Sequence, residues 1–460
     1  MDIFQQILFV AVLAATAWYI TKRVKLIARA INLGRPENRS DHPDERLKTM
    51  LLVAFGQKKM FTNPLVGIMH FVIYAGFLII NIEILEIILD GILGTHRLFA
   101  PYITPVYPLL IDVFEVLAFG VLAVCVVFLC RRFVARVSRL QASRHRELRG
   151  WSIPDATLIL SAEIVLMIAF LTWNASDSVL RDRGIGHYGE LQGIVPDFLI
   201  SQYLKPLFTG FSDTALVAYE RTSWWLHILG ILAFAIYVTY SKHLHIALGF
   251  PNVYYSDLQP KGEMQNMPEI TKEVQLALGL PVTTEVDGAQ ANDNGEQPAE
   301  IGRFGAKDVY DLKWINLMNA YSCTECGRCT AACPANITGK KLSPRKIMMD
   351  TRDRMEDIQR GWQTHGDDYK DDKSLLGDYI TAEELNACTT CQACVMACPV
   401  NINPLDIILQ LRRYRVMEES QAPASWNAMF SNIENNMAPW KFSPSDRFNW
   451  ADQVNEPVTK

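Results

Sequence analysis

The chain has 460 residues, 50% of them hydrophobic, with 44 basic and 49 acidic residues and a formal net charge of −5. So small a net charge gives no indication of the chain's partners. This hydrophobic content is high for a soluble protein and modest for one embedded wholly in a membrane. It excludes both simple classes and predicts a chain divided between the two environments.

The amino-terminal half contains five apolar stretches, each long enough to cross a bilayer, which takes about 20 residues. Because lipid offers no partner for open backbone groups, each stretch is predicted to be a helix. The first is not predicted to be a cleaved signal peptide, since Asp2 stands in place of a basic start and no small-residue cleavage site follows. Together they predict a transmembrane anchor over residues 1–250, with spans at 3–21, 65–90, 108–130, 153–173 and 223–248.

Basic residues between the spans predict the orientation of the anchor. The first span is followed by Lys22, Arg23 and Lys25, and seven arginines occur in the segment 131–151 after the third span. The positive-inside rule places the N-terminus outside and the part after about residue 249 in the cytoplasm, at the inner membrane of a bacterial cell. The alternative for the arginine run is a nucleic-acid patch; its two flanking spans favour a topology signal that touches anionic lipid.

Histidines in or beside the spans are candidate ligands, because an imidazole in hydrocarbon is costly without a partner. His70 and His245 lie at the inner ends of the second and fifth spans, at similar depth, which predicts a b-type haem held between both imidazoles. His227, near the outer end of the fifth span, precedes His245 by 18 residues, or five turns, so that both are expected on one helix face. A second haem at His227 lacks an obvious second ligand. The alternative is a hydrogen-bonded interfacial histidine, which is preferred for His243.

Other polar and aromatic residues of the anchor have open roles. Glu163 lies near mid-membrane, where a carboxylate marks either a proton path to a quinone or a hydrogen bond between helices. Glu83 and Glu86 are expected toward the outer surface, and Trp224 and Trp225 in the aromatic belt at its edge.

Three segments are predicted beyond the anchor. Residues 251–304 are expected to be a cytoplasmic linker, within which the polar stretch 283–300 is flexible. Residues 305–415 are expected to form an α-helical domain. The tail 416–460 is too apolar to be plainly disordered and is expected to pack on this domain or a partner, or else to dock loosely, through Trp426, Trp440 and Trp450.

Two copies of one cysteine pattern lie in that domain, CTECGRCTAACP and CTTCQACVMACPVN. Both follow C-x2-C-x2-C-x3-C and then a proline, which is the ligand pattern of paired 4Fe-4S clusters, the carriers of single electrons. The alternatives are zinc knuckles or a disulfide lattice. Zinc sites usually take paired C-x2-C units, and the predicted compartment is reducing, so both alternatives are disfavoured.

The spacing also predicts which cysteines share a cluster. Three thiolates two residues apart wrap one cubane, and the fourth points away to the other cluster. One cluster is therefore predicted on Cys323, Cys326, Cys329 and Cys398, and the other on Cys388, Cys391, Cys394 and Cys333. The remaining two cysteines, Cys125 and Cys130, are interpreted as ordinary small side chains of the third span.

The cluster pair, the basic five-helix half and the SKHLHI segment together resemble the heterodisulfide-reductase-like membrane iron–sulfur oxidoreductases. The anchor resembles their cytochrome b subunit and the gamma subunit of respiratory nitrate reductase, in which two histidines on the second span and two on the fifth hold two haems. His70, His227 and His245 match these positions, and the fourth histidine is absent. The separation of 65 residues between the motifs resembles the α-helical ferredoxin domain of succinate dehydrogenase and fumarate reductase.

The resemblance implies an all-α fold, with a five-helix transmembrane bundle followed by an α-helical ferredoxin-type domain carrying two 4Fe-4S clusters. Members of the family do their substrate chemistry in paired-cysteine CCG domains, which this sequence lacks. A separate cytoplasmic CCG-type or flavin-containing subunit is therefore expected as partner. The chain would relay electrons between that subunit and quinone through the clusters and one haem b, or two. Two alternatives stay open: a membrane-tethered iron–sulfur sensor or scaffold without turnover, and a haem-free anchor whose histidines bind quinone.

Overall fold

The structure, a computed structural model, describes residues 2–195, 197–260, 262–264, 266–281 and 303–455. These residues form helices, turns and loops and include no β-strand, which confirms the predicted all-α class. The helices of the amino-terminal half are α1 (Ile3–Ile31), α2 (Pro43–Met50), α3 (Pro64–Leu93), α4 (Tyr107–Phe133), α5 (Ser152–Asp182), α6 (Gly186–Gly189), α7 (Asp213–Val238) and α8 (His245–Tyr254).

Five of these helices, α1, α3, α4, α5 and α7, are long and apolar enough to cross a membrane, as predicted. In the bundle, α3 packs on α4, α4 on α5 and α5 on α7, while α1 lies against α3 and α7. Buried aromatic side chains such as Phe9, Phe114 and Phe170 fill the space between them. At 1.5 Å per residue the helices span about 39–47 Å, so their ends extend beyond a hydrocarbon core of about 30 Å.

The ends of α3 show how local sequence sets these boundaries. The Asn63 side chain accepts a hydrogen bond from the Val66 amide at 3.3 Å, and Pro64 fills the first helical position, where no N–H is needed. The helix ends at Gly94, whose φ of 76° is a left-handed conformation that glycine adopts without cost.

The fifth span lies ten residues earlier than predicted. It was expected at 223–248, whereas α7 covers Asp213–Val238. A 3-10 turn over Lys242–Leu244 separates it from α8, which begins at His245. The Ser241 hydroxyl accepts from the His243 amide at 3.1 Å and so starts a new helical segment.

This break overturns the predicted geometry of the fifth span. His227 and His245 do not share one face of a continuous helix, so the argument from five whole turns is wrong. His227 lies 14 residues after Asp213 and 11 before Val238, in the middle of α7 rather than near its end. Trp224 is buried against Phe9, with ring centroids 5.4 Å apart, and is not part of an exposed belt.

The carboxy-terminal half contains shorter helices. Buried residues from Ala306 to Tyr414 form one core, and we call this unit the cysteine domain. The helices of this half are α9 (Pro268–Ala277), α10 (Trp314–Tyr321), α11 (Arg328–Ala332), α12 (Pro334–Ile337), α13 (Pro344–His365), α14 (Ala382–Asn386), α15 (Ala393–Ala397), α16 (Pro404–Arg413), α17 (Ala424–Asn436) and α18 (Asn449–Asn455).

The first membrane helix also belongs to the cysteine domain. Ile27 and Ala30, in the last turns of α1, are buried in the core of that domain. Just beyond the helix, the Arg35 amide donates to the Leu312 carbonyl at 2.7 Å, and the Trp314 amide donates to the Arg35 carbonyl at 3.1 Å. The two halves of the chain are therefore joined by packing as well as by sequence.

The linker was predicted to contain a flexible stretch, and the tail was predicted to pack on the cysteine domain or a partner, or else to dock loosely. The predicted flexible stretch 283–300 lies outside the described residues. In the described part of the tail, α17 buries no residue, and Trp426 contacts a cation of the cysteine domain, with Arg412 5.7 Å from the ring centroid. Trp440 and Trp450 are exposed, so that tail packing on a partner stays a prediction.

Candidate functional site

The two cysteine motifs fold into loops with the same backbone conformation. Glu325 and Gly327 have φ of 56° and 72° in the first loop, and the matching Thr390 and Gln392 have 57° and 59° in the second. Left-handed residues turn successive backbone N–H groups toward one side and form a concavity that favours anions. The helices α11 and α15 that follow these loops pack on each other, which brings the loops together.

The first predicted ligand set surrounds one cavity. The cavity is lined by Cys323, Cys326, Cys329 and Cys398, and none of these cysteines forms a disulfide. The amide of Ile402 donates to the sulfur of Cys398 at 3.3 Å. The three thiols of the first motif and the fourth thiol of the second thus face one another, as the crossed pattern predicts.

The second predicted set also lies together. The thiols of Cys388 and Cys394 are each within electrostatic range of Cys333 and Cys391. The Thr390 amide donates to the Cys388 sulfur at 3.4 Å. Cys391 is exposed while Cys333 and Cys394 are buried, so this set reaches the protein surface.

The chemistry of both sets suits an iron–sulfur core. Burial raises the pKa of Cys323 and of Cys394 to about 12 and that of Cys398 to about 11. Burial and three or more neighbouring sulfurs raise the pKa of Cys329 well above its usual range. Four thiolates this close repel one another unless a metal offsets their charge, and bound metal deprotonates coordinating thiols outright. These residues therefore fit the group that their spacing predicts.

Comparison with known protein families decides what this unit is. Residues 322–402, which hold all eight motif cysteines, match the family model described as "4Fe-4S dicluster domain". The chain carries a 4Fe-4S dicluster domain. The cysteine domain is this dicluster domain, and the prediction of an iron–sulfur protein is confirmed at that level.

Curated relatives extend the likeness to the anchor. The chain is 27% identical to the "Probable iron-sulfur-binding oxidoreductase FadF" of Bacillus subtilis, over 97% of this chain and 61% of that protein. It is 23% identical to the "EtfAB:quinone oxidoreductase" of Syntrophomonas wolfei, over 90% of this chain and 55% of that protein. A "Probable membrane-anchored ferredoxin" of Chromohalobacter salexigens is 30% identical over 37% of this chain and 27% of that protein. The chain thus spans little more than half the length of the first two relatives. No solved structure matches it.

Glu325, inside the first cysteine loop, joins the dicluster domain to the bundle. Its buried carboxylate accepts from Lys242 at 3.0 Å, from Arg352 at 2.6 Å, and from the hydroxyl of Ser152 at the start of α5. Burial by itself raises the pKa of Glu325. The charges of Arg352 and Lys242 and the hydrogen bond from Ser152 outweigh this effect and bring the pKa down to about 2. Glu325 is therefore ionised and fixes the first loop against the ends of α5 and α7. No spacing rule marked this residue in the sequence.

A second set of contacts holds the other side of the same cavity. The Lys59 ammonium donates to the Cys398 carbonyl at 3.2 Å and to the Asn401 side chain at 2.6 Å. Arg328, between Cys326 and Cys329, donates to the Lys59 carbonyl at 3.3 Å. The first cysteine set is therefore the one that lies against the bundle.

The structure brings His70 and His245 together at this end of the bundle. Their rings lie within electrostatic range of each other, and His70 is also within range of Arg328. The His70 Nδ1 atom lies 3.0 Å from the Gln57 carboxamide oxygen, and the His245 Nδ1 atom lies 3.2 Å from the Lys242 carbonyl. These acceptors select the tautomer that carries the proton on Nδ1 and leaves Nε2 free to bind a metal. Burial lowers the pKa of His245, which favours the neutral, ligating form.

His227 has different surroundings. It is 2% exposed, its ring lies 5.8 Å from that of Phe170 and 6.4 Å from that of Trp173, and its Nδ1 has no partner among the described residues. No described histidine pairs with it. These surroundings do not fit a second haem.

The end of the bundle away from the dicluster domain holds a buried polar network that the sequence did not indicate. Arg97, from the loop after α3, donates to Asp177 at 3.2 Å, to Asn174 at 2.8 Å and to the Tyr107 hydroxyl at 3.2 Å. The Tyr107 hydroxyl in turn donates to Glu86 at 3.0 Å. Glu86 and Glu83 are 4% and 3% exposed, so the expectation that they reach the surface is wrong.

Glu163 forms no hydrogen bond with a described residue, so of its two predicted roles the hydrogen bond between helices is not seen. The buried Cys125 of α4 is close enough to interact with it electrostatically.

Proposed function

We propose that this chain relays electrons between a separate oxidoreductase subunit and quinone, through two 4Fe-4S clusters and one haem b. Cys323, Cys326, Cys329 and Cys398 would hold one cluster, and the other four motif cysteines the second. His70 and His245 would hold the haem through their Nε2 atoms. When bound, these groups supply one-electron transfer; the chain supplies their ligands, their spacing and their exclusion from water.

One observation carries the proposal, which is the position of Lys242. Its carbonyl accepts from the His245 ring, and its ammonium donates to Glu325 within the first cysteine loop. A single residue therefore orients one predicted haem ligand and touches the loop of the nearer cluster. Such a link keeps two redox sites at a fixed separation, which single-electron transfer needs.

The order of the sites follows from exposure and contact. The second cysteine set includes the exposed Cys391, which makes it the surface at which a partner subunit exchanges electrons. The first set lies against the bundle through Lys59 and Glu325. The name of the Syntrophomonas wolfei relative couples EtfAB to quinone, which supports quinone as one redox partner and a separate protein as the other. We propose a flavin-containing or CCG-type subunit as that protein.

The orientation is part of the same proposal. The N-terminus would lie outside, and the dicluster domain in the cytoplasm, at the inner membrane of a bacterial cell. The basic residues after α1 and α4 support this, because both groups lie at the ends of their helices nearer the dicluster domain.

Absorption spectra of the purified full chain test the haem. We expect the dithionite-reduced minus oxidised spectrum to show a sharp b-type α band, which His70→Ala and His245→Ala each abolish. His243→Ala is the matched control, because His243 is 5.8 Å from His245 between ring centroids and its Nδ1 faces Ser241 instead. Absence of the band in the unmodified chain, or its loss in the control as well, would remove the haem from the proposal.

The exposure of Cys391 also favours a second candidate, a membrane-tethered iron–sulfur sensor with one labile cluster. Redox titration distinguishes the two functions. A relay requires reversible couples near the potential of quinone for both clusters, whereas a sensor loses one cluster on oxidation. Iron and acid-labile sulfide should amount to about eight of each per chain in the relay.

A further inference from the structure

A cleft lies where α1 leaves the apolar part of the bundle. It has a volume of about 320 Å³ and is bounded by α1, by the segment after α7 and by α13 of the dicluster domain. Its walls carry four cations and two tyrosines, namely Lys22, Arg23, Lys25, Arg29, Tyr19 and Tyr240. None of the described residues that line it is acidic. A concave surface lined by several cations favours an anionic occupant or a counterion atmosphere.

The cations of the cleft are only partly compensated, since the carboxylate of Glu356 on α13 interacts electrostatically with Arg23 but forms no ion pair with it. Arg29 pairs with Asp367 and stacks on Trp362, 4.0 Å from the ring centroid. Among the described residues, none of Lys22, Arg23 and Lys25 forms an ion pair. Three positive charges therefore face the cleft within one turn of helix.

Arg23 is held ready for a ligand. Its guanidinium stacks 3.8 Å from the centroid of the Tyr240 ring, and one terminal nitrogen approaches the Thr239 carbonyl at 3.5 Å. The Nε atom is buried and has no hydrogen-bond partner among the described residues. A buried donor without an acceptor is costly, so this N–H points to an oxygen supplied by something else. An anion with several oxygens suits a planar guanidinium best.

The surroundings identify the anion as part of a lipid. Trp18 and Tyr240 are 66% and 46% exposed, and the Tyr19 hydroxyl lies 2.6 Å from that of Tyr240. Lys22 lies 5.7 Å from the centroid of the Trp18 ring. Exposed aromatic rings beside lysines at the end of an apolar helix are the pattern of the membrane interface. A free anion would use the cations alone, whereas a phospholipid also uses the exposed apolar wall.

We propose that this cleft binds the phosphate group of an anionic phospholipid, with Arg23 as the principal ligand and Lys22 and Lys25 beside it. The acyl chains would lie along Trp18 and the apolar part of α1. Since α13 forms the other wall, the bound lipid would brace the dicluster domain against the bundle. This site is independent of the clusters and of the haem.

Lipid binding to the purified full chain in detergent tests the proposal. Native mass spectrometry would count retained phosphatidylglycerol against phosphatidylcholine. We expect selective retention of phosphatidylglycerol, weakened about 100-fold when Lys22, Arg23 and Lys25 are all changed to Gln. The control removes the same charge from exposed lysines of the dicluster domain, in the variant Lys340→Gln, Lys341→Gln, Lys370→Gln, and should bind as the unmodified chain does.

Three outcomes overturn the proposal. Equal retention of both lipids removes the anionic selectivity, and equal weakening in the control shows a general charge effect. Displacement by 10 mM inorganic phosphate would identify a site for a free anion instead. If the triple variant does not fold, Arg23→Lys separates the effects, because it keeps the charge and removes Nε. It should still weaken phosphatidylglycerol binding several-fold, and unchanged binding there would refute the role of Arg23.

Discussion

Replacement of Lys242 by methionine is the sharpest test of how the two halves are joined. Lys242 is 8% exposed and Glu325 is 5% exposed, and their ion pair spans 3.0 Å. Removal of one partner of a buried pair costs about 3–5 kcal/mol. Glu325 keeps its hydrogen bond from Arg352 at 2.6 Å, so the lower end of this range applies. We expect the dicluster domain to pack on the helix bundle less favourably by about 3 kcal/mol.

Hydrogen exchange measures this loss directly. Amides of the first cysteine loop and of Lys242–Leu244 exchange when the interface opens. A loss of about 3 kcal/mol should speed their exchange about 100-fold. Lys341→Met is the matched control, because Lys341 pairs with Glu383 on the exposed surface and such pairs contribute at most about 1 kcal/mol, or about fivefold.

The result that would refute this reasoning is unchanged exchange at the interface in Lys242→Met. The double variant Lys242→Met, Glu325→Gln provides a further check. It removes both charges of the pair, so it should recover part of the protection that the single variant loses. Glu325→Gln alone completes the double-mutant cycle, and additive effects of the two substitutions would show that the two side chains do not interact.

Two other predictions concern the dicluster domain. Gly327→Ala should lose about four of eight irons, because φ at Gly327 is 72° and a Cβ atom there would lie 2.5 Å from the guanidinium of the buried Arg345. Gln392→Ala, at the matching position of the second loop, should keep all eight. Iron assays compare the two variants, and equal iron content would contradict the prediction. Asp371→Asn should cost about 1–2 kcal/mol, because hydrogen bonds from Arg354 lower the pKa of Asp371. The stabilisation by ionised Asp371 is complete above the pKa of about 4 that the residue has in the unfolded chain, and it is lost as the pH falls below that value. Denaturant unfolding should therefore show the same loss of stability in the variant at about pH 7 and at about pH 5. A loss that vanishes by about pH 5 would contradict the prediction.

Much of the architecture could be predicted from short-range patterns. Four of the five spans follow from runs of apolar residues, and the dicluster domain follows from the spacing of its cysteines; which cysteines share a cluster stays a prediction. The predicted fifth span begins after Glu220 and Arg221, whereas both residues lie within α7. In the structure they neutralise each other within α7, and Glu220 also accepts from Trp173 at 2.8 Å and from Tyr188 at 2.6 Å. A hydropathy average treats each charged residue as polar, and it does not detect that distant residues pair with the charge inside the bundle.

Non-local contacts explain what else was missed. Glu86 was placed near the surface because the sequence does not show that the loop carrying Arg97 folds back over it. Glu325 looked like a spacer between two cysteines, and its role depends on Lys242, 83 positions earlier in the chain. In both cases the decisive partner comes from another element, so that no local window contains both residues.

One rod of backbone, α1, begins in the apolar bundle and ends inside the core that surrounds the cysteines. Because this helix is continuous, a tilt of the bundle also tilts the dicluster domain. In the proposed relay, the partner subunit would therefore have to come to the dicluster domain, and the rate of encounter would depend on the partner's diffusion and on the charge of the surface around the exposed Cys391.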